Sequence, residues 1–243
     1  METVKIKTKS LDIELSGSVL QEIGKVLIKE YGRAEPLIEK GEVESITLPL
    51  DGRMVQFDVT DQGPGWIRFD SCECLGRAPW NESGQNLDGD IENASINEYI
   101  IAKIEPKIPM WLYEMMAYTE RFTKEEGIYS TKLFLPDASE VFGEDDWYIN
   151  RYDQLDYYKN PRNRVKADPE GEETCHWWTA SAISGNATIS VFVYASGFST
   201  DDSASNAYGV PVCFRINKAD LGRLISEALN SGGSVRRRER SQR

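Results

Sequence analysis

Histidine is nearly absent from this sequence: His176 is the single one, and no Cys-x-x-Cys pair accompanies it. A Ser/His/Asp or Cys/His catalyst requires a histidine base. The one candidate stands beside a Trp pair, a setting that suits a structural or solvent-facing imidazole. No GxSxG-type nucleophile turn occurs either. The four cysteines, Cys72, Cys74, Cys175 and Cys213, match no zinc spacing. They are expected to be reduced, packed thiols, with a Cys175–Cys213 bridge as the alternative in an oxidising compartment. No apolar run approaches the roughly 18–20 residues of a membrane span, so membrane insertion is not expected. The opening METVKIKTKSLDIEL alternates instead of forming the apolar stretch of a signal peptide, so cytoplasmic synthesis is expected. Basic charge is scarce as well: the net charge is −12, and five of the arginines sit in the final RRRERSQR. Without that tail, 23 basic residues face 39 acidic ones, a body charge of −16. Such a body repels phosphate, which excludes nucleic acid and anionic membranes as partners of the folded part.

What is present is a chain of 243 residues, 40% hydrophobic and 10% aromatic, long enough for one large core. Val4 and Ile6, then Leu11, Ile13 and Leu15, alternate with charged residues as one or two short strands with a break near Ser10. Ser18 and Gln21 have capping-box spacing ahead of an amphipathic helix over 18–31. A hairpin is centred on Asp51-Gly52, with Pro49 marking its first arm as an edge or as one that begins late. Residues 66–75 form a further strand, and 76–90 a polar loop. Ser95 and Glu98 have the spacing of a second capping box, on a helix that Pro106 ends, and a short helix follows from Pro109. Lys132–Leu135 is read as a strand, and Asp137 with Glu140 caps a turn of helix. Residues 144–173 lack periodicity, the mark of a functional excursion or a cover over the core. Strands are expected over 187–194 and 210–216, and a helix over 220–229. Gly232 and Gly233 then release a basic tail, read as a disordered terminus or, functionally, as an electrostatic peg onto an acidic partner or nucleic acid.

Several phrases occur together: KLFLPDASEVFG, QLDYYKN, HWWTASA, and an Asn/Ser/Tyr-rich hairpin that closes on GVPVCFRI. This combination resembles a bacterial and phage domain family, with WWLRSP-like and GVRPA-like motifs, related to C-type-lectin-like and formylglycine-generating-enzyme-like folds. Trp177, Trp178, Thr179 and Ser181 match the first motif, and Gly209, Val210 and Pro211 the second. Ala180 and the region of Val212 stand where that family has arginines. If those arginines hold a buried ion pair in relatives, this chain must manage otherwise. The resemblance implies an α+β protein: an N-terminal strand–helix appendage over 1–41, a C-type-lectin-like domain over 42–217, and a C-terminal helix with a basic tail over 218–243.

Within that frame the hairpin region 181–208 is the expected ligand face. Asn186, Tyr194, Phe198, Asp201, Asp202, Asn206 and Tyr208 combine rigid amphipathic rings with adaptable polar groups, the composition of a paratope. Trp177 and Trp178 are expected to be structural, one ring on each face of a strand. Asp201, Asp202, Ser203 and Asn206 carry oxygens of the kind calcium uses, but the EPN and WND triplets of calcium-dependent lectins are missing, so no metal, cofactor or catalytic residue is assigned. The expected role is non-enzymatic recognition of a protein or glycan on a cell surface, as a phage or prophage tail or fibre component. The appendage would serve assembly or homo-oligomerisation. The alternatives are an enzyme on the same fold, hydrolase or metal-dependent oxidase, and a purely structural assembly protein.

Overall fold

The computed structural model describes residues 3–7, 12–16, 43–123 and 127–238. The chain divides into two compact units, Met1–Lys40 and Gly41–Arg243. In the first, β1 (Thr3–Lys7) and β2 (Asp12–Ser16) pair antiparallel, with Lys5 opposite Glu14. The alternation therefore resolves into two strands. The helix expected over 18–31 lies outside the described residues.

The second unit is a mixed α+β structure, mostly strands with few helices. Its strands are, in order, β3 (Val43–Leu50), β4 (Arg53–Gln62), β5 (Trp66–Ser71), β6 (Arg77–Pro79), β7 (Met116–Ala117), β8 (Thr119–Thr123), β9 (Gly127–Thr131), β10 (Lys166–Ala167), β11 (Thr174–Cys175), β12 (Trp177–Ala182), β13 (Ile189–Val193), β14 (Ser199–Ser203), β15 (Ala207–Gly209), β16 (Cys213–Asn217) and β17 (Ser234–Arg237). The helices are α1 (Ser95–Tyr99), prolonged by a π turn over Ile100–Ile104, then α2 (Met110–Met115), α3 (Ala138–Phe142) and α4 (Leu221–Asn230).

Six strands form an antiparallel sheet in the order β17-β3-β4-β5-β16-β7. Its hairpin turns where expected: Asp51 and Gly52 both have positive φ, 51° and 79°, as a two-residue turn matching strand twist requires. Pro49 does not make β3 an edge. β17 pairs with β3 from Val43 to Thr47 and stops short of Pro49, so the missing N–H costs no ladder bond. The basic segment is thus not released at Gly233. Its first part is an edge strand, and α4 packs beside it through the buried Leu224, Ile225 and Ala228. Residues 218–238 belong to the second unit and are not a separate tail region.

A second sheet of five strands runs β14-β13-β12-β15-β6, with β12 and β15 parallel and the other pairs antiparallel. β12 is buried at every residue. Trp177 and Trp178 point to opposite faces, as a period of two demands, and each indole finds a carbonyl: Trp177 Nε1 donates to Arg164 at 2.9 Å, Trp178 Nε1 to Ala78 at 3.0 Å. Two further expectations change. Lys132–Leu135 is not a strand; only Phe134 bridges to Cys213, and the strand lies one step earlier, in β9. Ser95 does not cap α1 with its side chain; Ala94 occupies the cap position and the Ser95 hydroxyl donates to Asn81 Oδ1 at 2.7 Å. The Asp137–Glu140 capping box forms as expected.

Candidate functional site

The face of β12 that carries Trp178 continues into β13 and β15 as a sheet of rings. Phe192 lies opposite Trp178 in register, and Tyr208 rests on both, with centroids 4.5 Å from Phe192 and 4.9 Å from Trp178. His176 joins them, 4.2 Å from the Tyr194 ring and 5.5 Å from that of Tyr208. The Ala195 N–H donates to His176 Nδ1 at 3.1 Å, so that nitrogen is already engaged as an acceptor. Trp178 and Phe192 are buried beneath this layer, while Tyr194 and Phe198 remain 49% and 68% exposed. The buried rings fix a platform and the outer two offer their surfaces to solvent.

Polar groups border the rings. The Tyr208 hydroxyl donates to Asp202. Burial and that bond push Tyr208 up to about 12, and the same bond holds Asp202 below the usual carboxylate range. Asp201 and Asp202 are successive residues of one strand and point to opposite faces, so they do not act as a carboxylate pair. Asn186 lies in the β12–β13 turn, where its side-chain oxygen accepts from Thr188, while its carbonyl accepts from Asn86. Asn206 is exposed in the turn before Tyr208. The structure therefore gathers Tyr194, Asp202 and Tyr208 around His176 and places Phe198 at the adjoining β13–β14 turn. Asn186 stands apart in the other hairpin. Among the described residues no group of three His, Cys, Asp or Glu is placed to hold a metal ion.

A second feature has no sequence expectation behind it. Arg68, fully buried on β5, donates from Nε to Asp70 Oδ1 at 2.7 Å and from Nη1 to Glu140 Oε1 at 2.6 Å. Arg121, on β8, grips both Glu140 oxygens at 2.8 Å. Thr60 and Tyr158 add hydroxyl bonds to Asp70 at 2.9 and 2.8 Å. Burial alone would raise the Glu140 carboxyl; Arg121 and Arg68 overcome it and hold the group well below its usual range. Asp70 follows the same logic with Arg68. Arg68 and Asp70 look like the solvent face of an alternating strand. The 144–173 excursion covers them instead, laying Tyr158 and Lys166 over that face.

A third feature is a polar cavity of about 680 Å³ whose lining includes Glu44, Asp58, Asp61, Asp156 and Tyr157. The Tyr157 hydroxyl donates to Asp58 at 2.6 Å. Arg236 and Arg238 close its rim by pairing with Glu44 at 3.2 and 3.3 Å. Arg236 and Arg238 are thus paired within the second unit.

Residues 98–218 match the model of a domain of unknown function, DUF6273, which takes in the capped helix α3, the buried Glu140 and the whole ring platform. No curated protein and no solved structure matches the chain.

Proposed function

We propose that the second unit is a non-enzymatic recognition module of C-type-lectin-like type, part of a phage or prophage virion, which binds saccharide on a cell surface at the ring platform. The carrying observation is the exposed Tyr194 ring at one end of a packed aromatic layer, with the exposed Phe198 in the adjoining turn. Sugar rings stack on such surfaces through their C–H faces, and Asp202, Asn206 and the Tyr208 hydroxyl supply hydrogen-bonding groups at the border. A platform whose rings are already packed loses little side-chain entropy on binding. Against a hydrolase, His176 Nδ1 is engaged by backbone, and Asp201 and Asp202 diverge as successive residues of one strand.

Glycan arrays and whole host cells, screened with and without calcium, test this. The double variant Tyr194→Ala/Phe198→Ala should lose at least tenfold in affinity with an unchanged unfolding temperature, because both rings are exposed. Full binding by that variant would refute the platform as the site, and turnover of an arrayed glycan would replace recognition by catalysis.

The separate N-terminal unit favours an assembly role beside recognition. Sedimentation of a chain lacking residues 1–40 should show a smaller oligomer than the full chain; an identical state counts against that role.

A further inference from the structure

Cys74 and Cys175 lie 101 positions apart, yet their sulfurs meet at 3.3 Å. Backbone bonds hold both positions. The Cys74 N–H donates to the Ala167 carbonyl at 2.9 Å, and the Ala167 N–H to the Cys72 carbonyl at 3.2 Å. On the other side of the same segment, Lys166 stands opposite Cys175 in the β10–β11 ladder. Both cysteines are thus anchored to one short strand, and the sulfurs need to close only to about 2.05 Å to bond. Gly209 packs over them: a Cβ there would collide with the Cys74 sulfur and lie 3.0 Å from that of Cys175. The absent side chain leaves the room that the two sulfurs share.

Charges of both signs surround the pair, Lys166 and Arg77 against Asp168. Lys166 is 3% exposed, donates to the Ser71 carbonyl, and has its ammonium 5.2 Å from the centre of the Trp177 ring. Arg77 lies opposite Gly209 in the β6–β15 ladder. The Cys175 thiol donates to the Cys74 sulfur, and the contact between the two sulfurs, with Arg77 and against Asp168, holds Cys175 below the ordinary thiol range, whereas burial pushes Cys74 up. Cys175 keeps 5% of its surface exposed and Cys74 none, so Cys175 is the sulfur that an oxidant reaches first.

We propose that Cys74 and Cys175 are an oxidisable dithiol that closes to a disulfide in exchange with a small disulfide oxidant such as glutathione disulfide. The Cys175 thiolate attacks one sulfur of the oxidant and expels one glutathione thiolate. The Cys74 thiolate then attacks the Cys175 sulfur of the mixed disulfide and expels the second. The pair loses two electrons and two protons, and one glutathione disulfide becomes two glutathiones. The new bond ties the segment leaving β5 in the first sheet to β11, two residues before β12 of the second and next to His176 on the platform.

The purified full chain is treated with glutathione disulfide, alkylated under unfolding conditions, and weighed and mapped. Two of the four thiols should escape alkylation, the unalkylated mass should fall by about 2 Da, and the cross-link should map to Cys74 and Cys175. It should persist in Cys72→Ser, which removes the neighbour on the same proteolytic peptide, and vanish in Cys74→Ser and, separately, in Cys175→Ser. The wild-type unfolding midpoint should rise by roughly 10 °C on oxidation and return with dithiothreitol. Four alkylatable thiols after treatment, a stable glutathione adduct without the cross-link, or a bridge to Cys72 or Cys213 would overturn the proposal. The wild-type map decides even if a serine variant fails to fold.

Discussion

Glu140 serves two structures at once. Its Oε2 accepts the Asp137 N–H that opens α3, and its carboxylate holds Arg68 and Arg121 under the sheet. Truncating one partner of a buried pair leaves the other uncompensated, at a cost of about 3–5 kcal/mol. Glu140→Gln keeps the shape but removes the charge that both arginines share. Urea denaturation should place its stability lower by about that amount, whereas Asp156→Asn, which breaks an exposed pair with Lys159, should leave it nearly unchanged. Equal effects would mean that the buried network is no more than a surface-like contact. Glu140 was legible only as a cap, through its three-residue spacing from Asp137. Its arginine partners come from strands 72 and 19 positions away, and no local pattern announces them.

At the scale of elements, periodicity located the hairpin at Asp51-Gly52, the short α2, the strand through Val191 and the helix after Asp220. It failed where a neighbour decides the outcome. Pro49 suggested an edge, because a proline cannot donate to a ladder; β17 covers only the part of β3 that precedes it. The arginine run suggested a free tail, because like charges repel; Glu44 and the open edge of β3 bind it in place. A chain ending at Gly233 would expose that edge and the Glu44 carboxylate. It should unfold at lower temperature and associate with rising concentration, as light scattering would report. A monomeric chain of unchanged midpoint would show β17 to be dispensable.

For the molecule as a whole, the acidic balance and the buried network set the response to pH. Asp70 and Glu140 are held below their unfolded values near 4, so the stability they contribute is present at neutral pH and is lost as pH falls through 4 toward their folded values. Glu73, half-buried and raised by burial despite Arg53, acts weakly in the opposite sense. The urea midpoint should be nearly flat from pH 7 to about 5 and drop steeply below about 4; a midpoint that rises on acidification would contradict the ion network. Local period and residue type were enough to determine the hairpin at Asp51-Gly52 and Trp177 and Trp178 on opposite faces of one strand, because these depend on neighbours in the chain alone. Tertiary structure alone decided that Tyr194, Tyr208 and His176 form one layer, that Asp201 and Asp202 part company across β14, that Cys175 meets Cys74 and not Cys213, and that Arg68 is buried. Each of those outcomes depends on which strands become neighbours, and strand order is a property of the folded whole that period and composition do not encode.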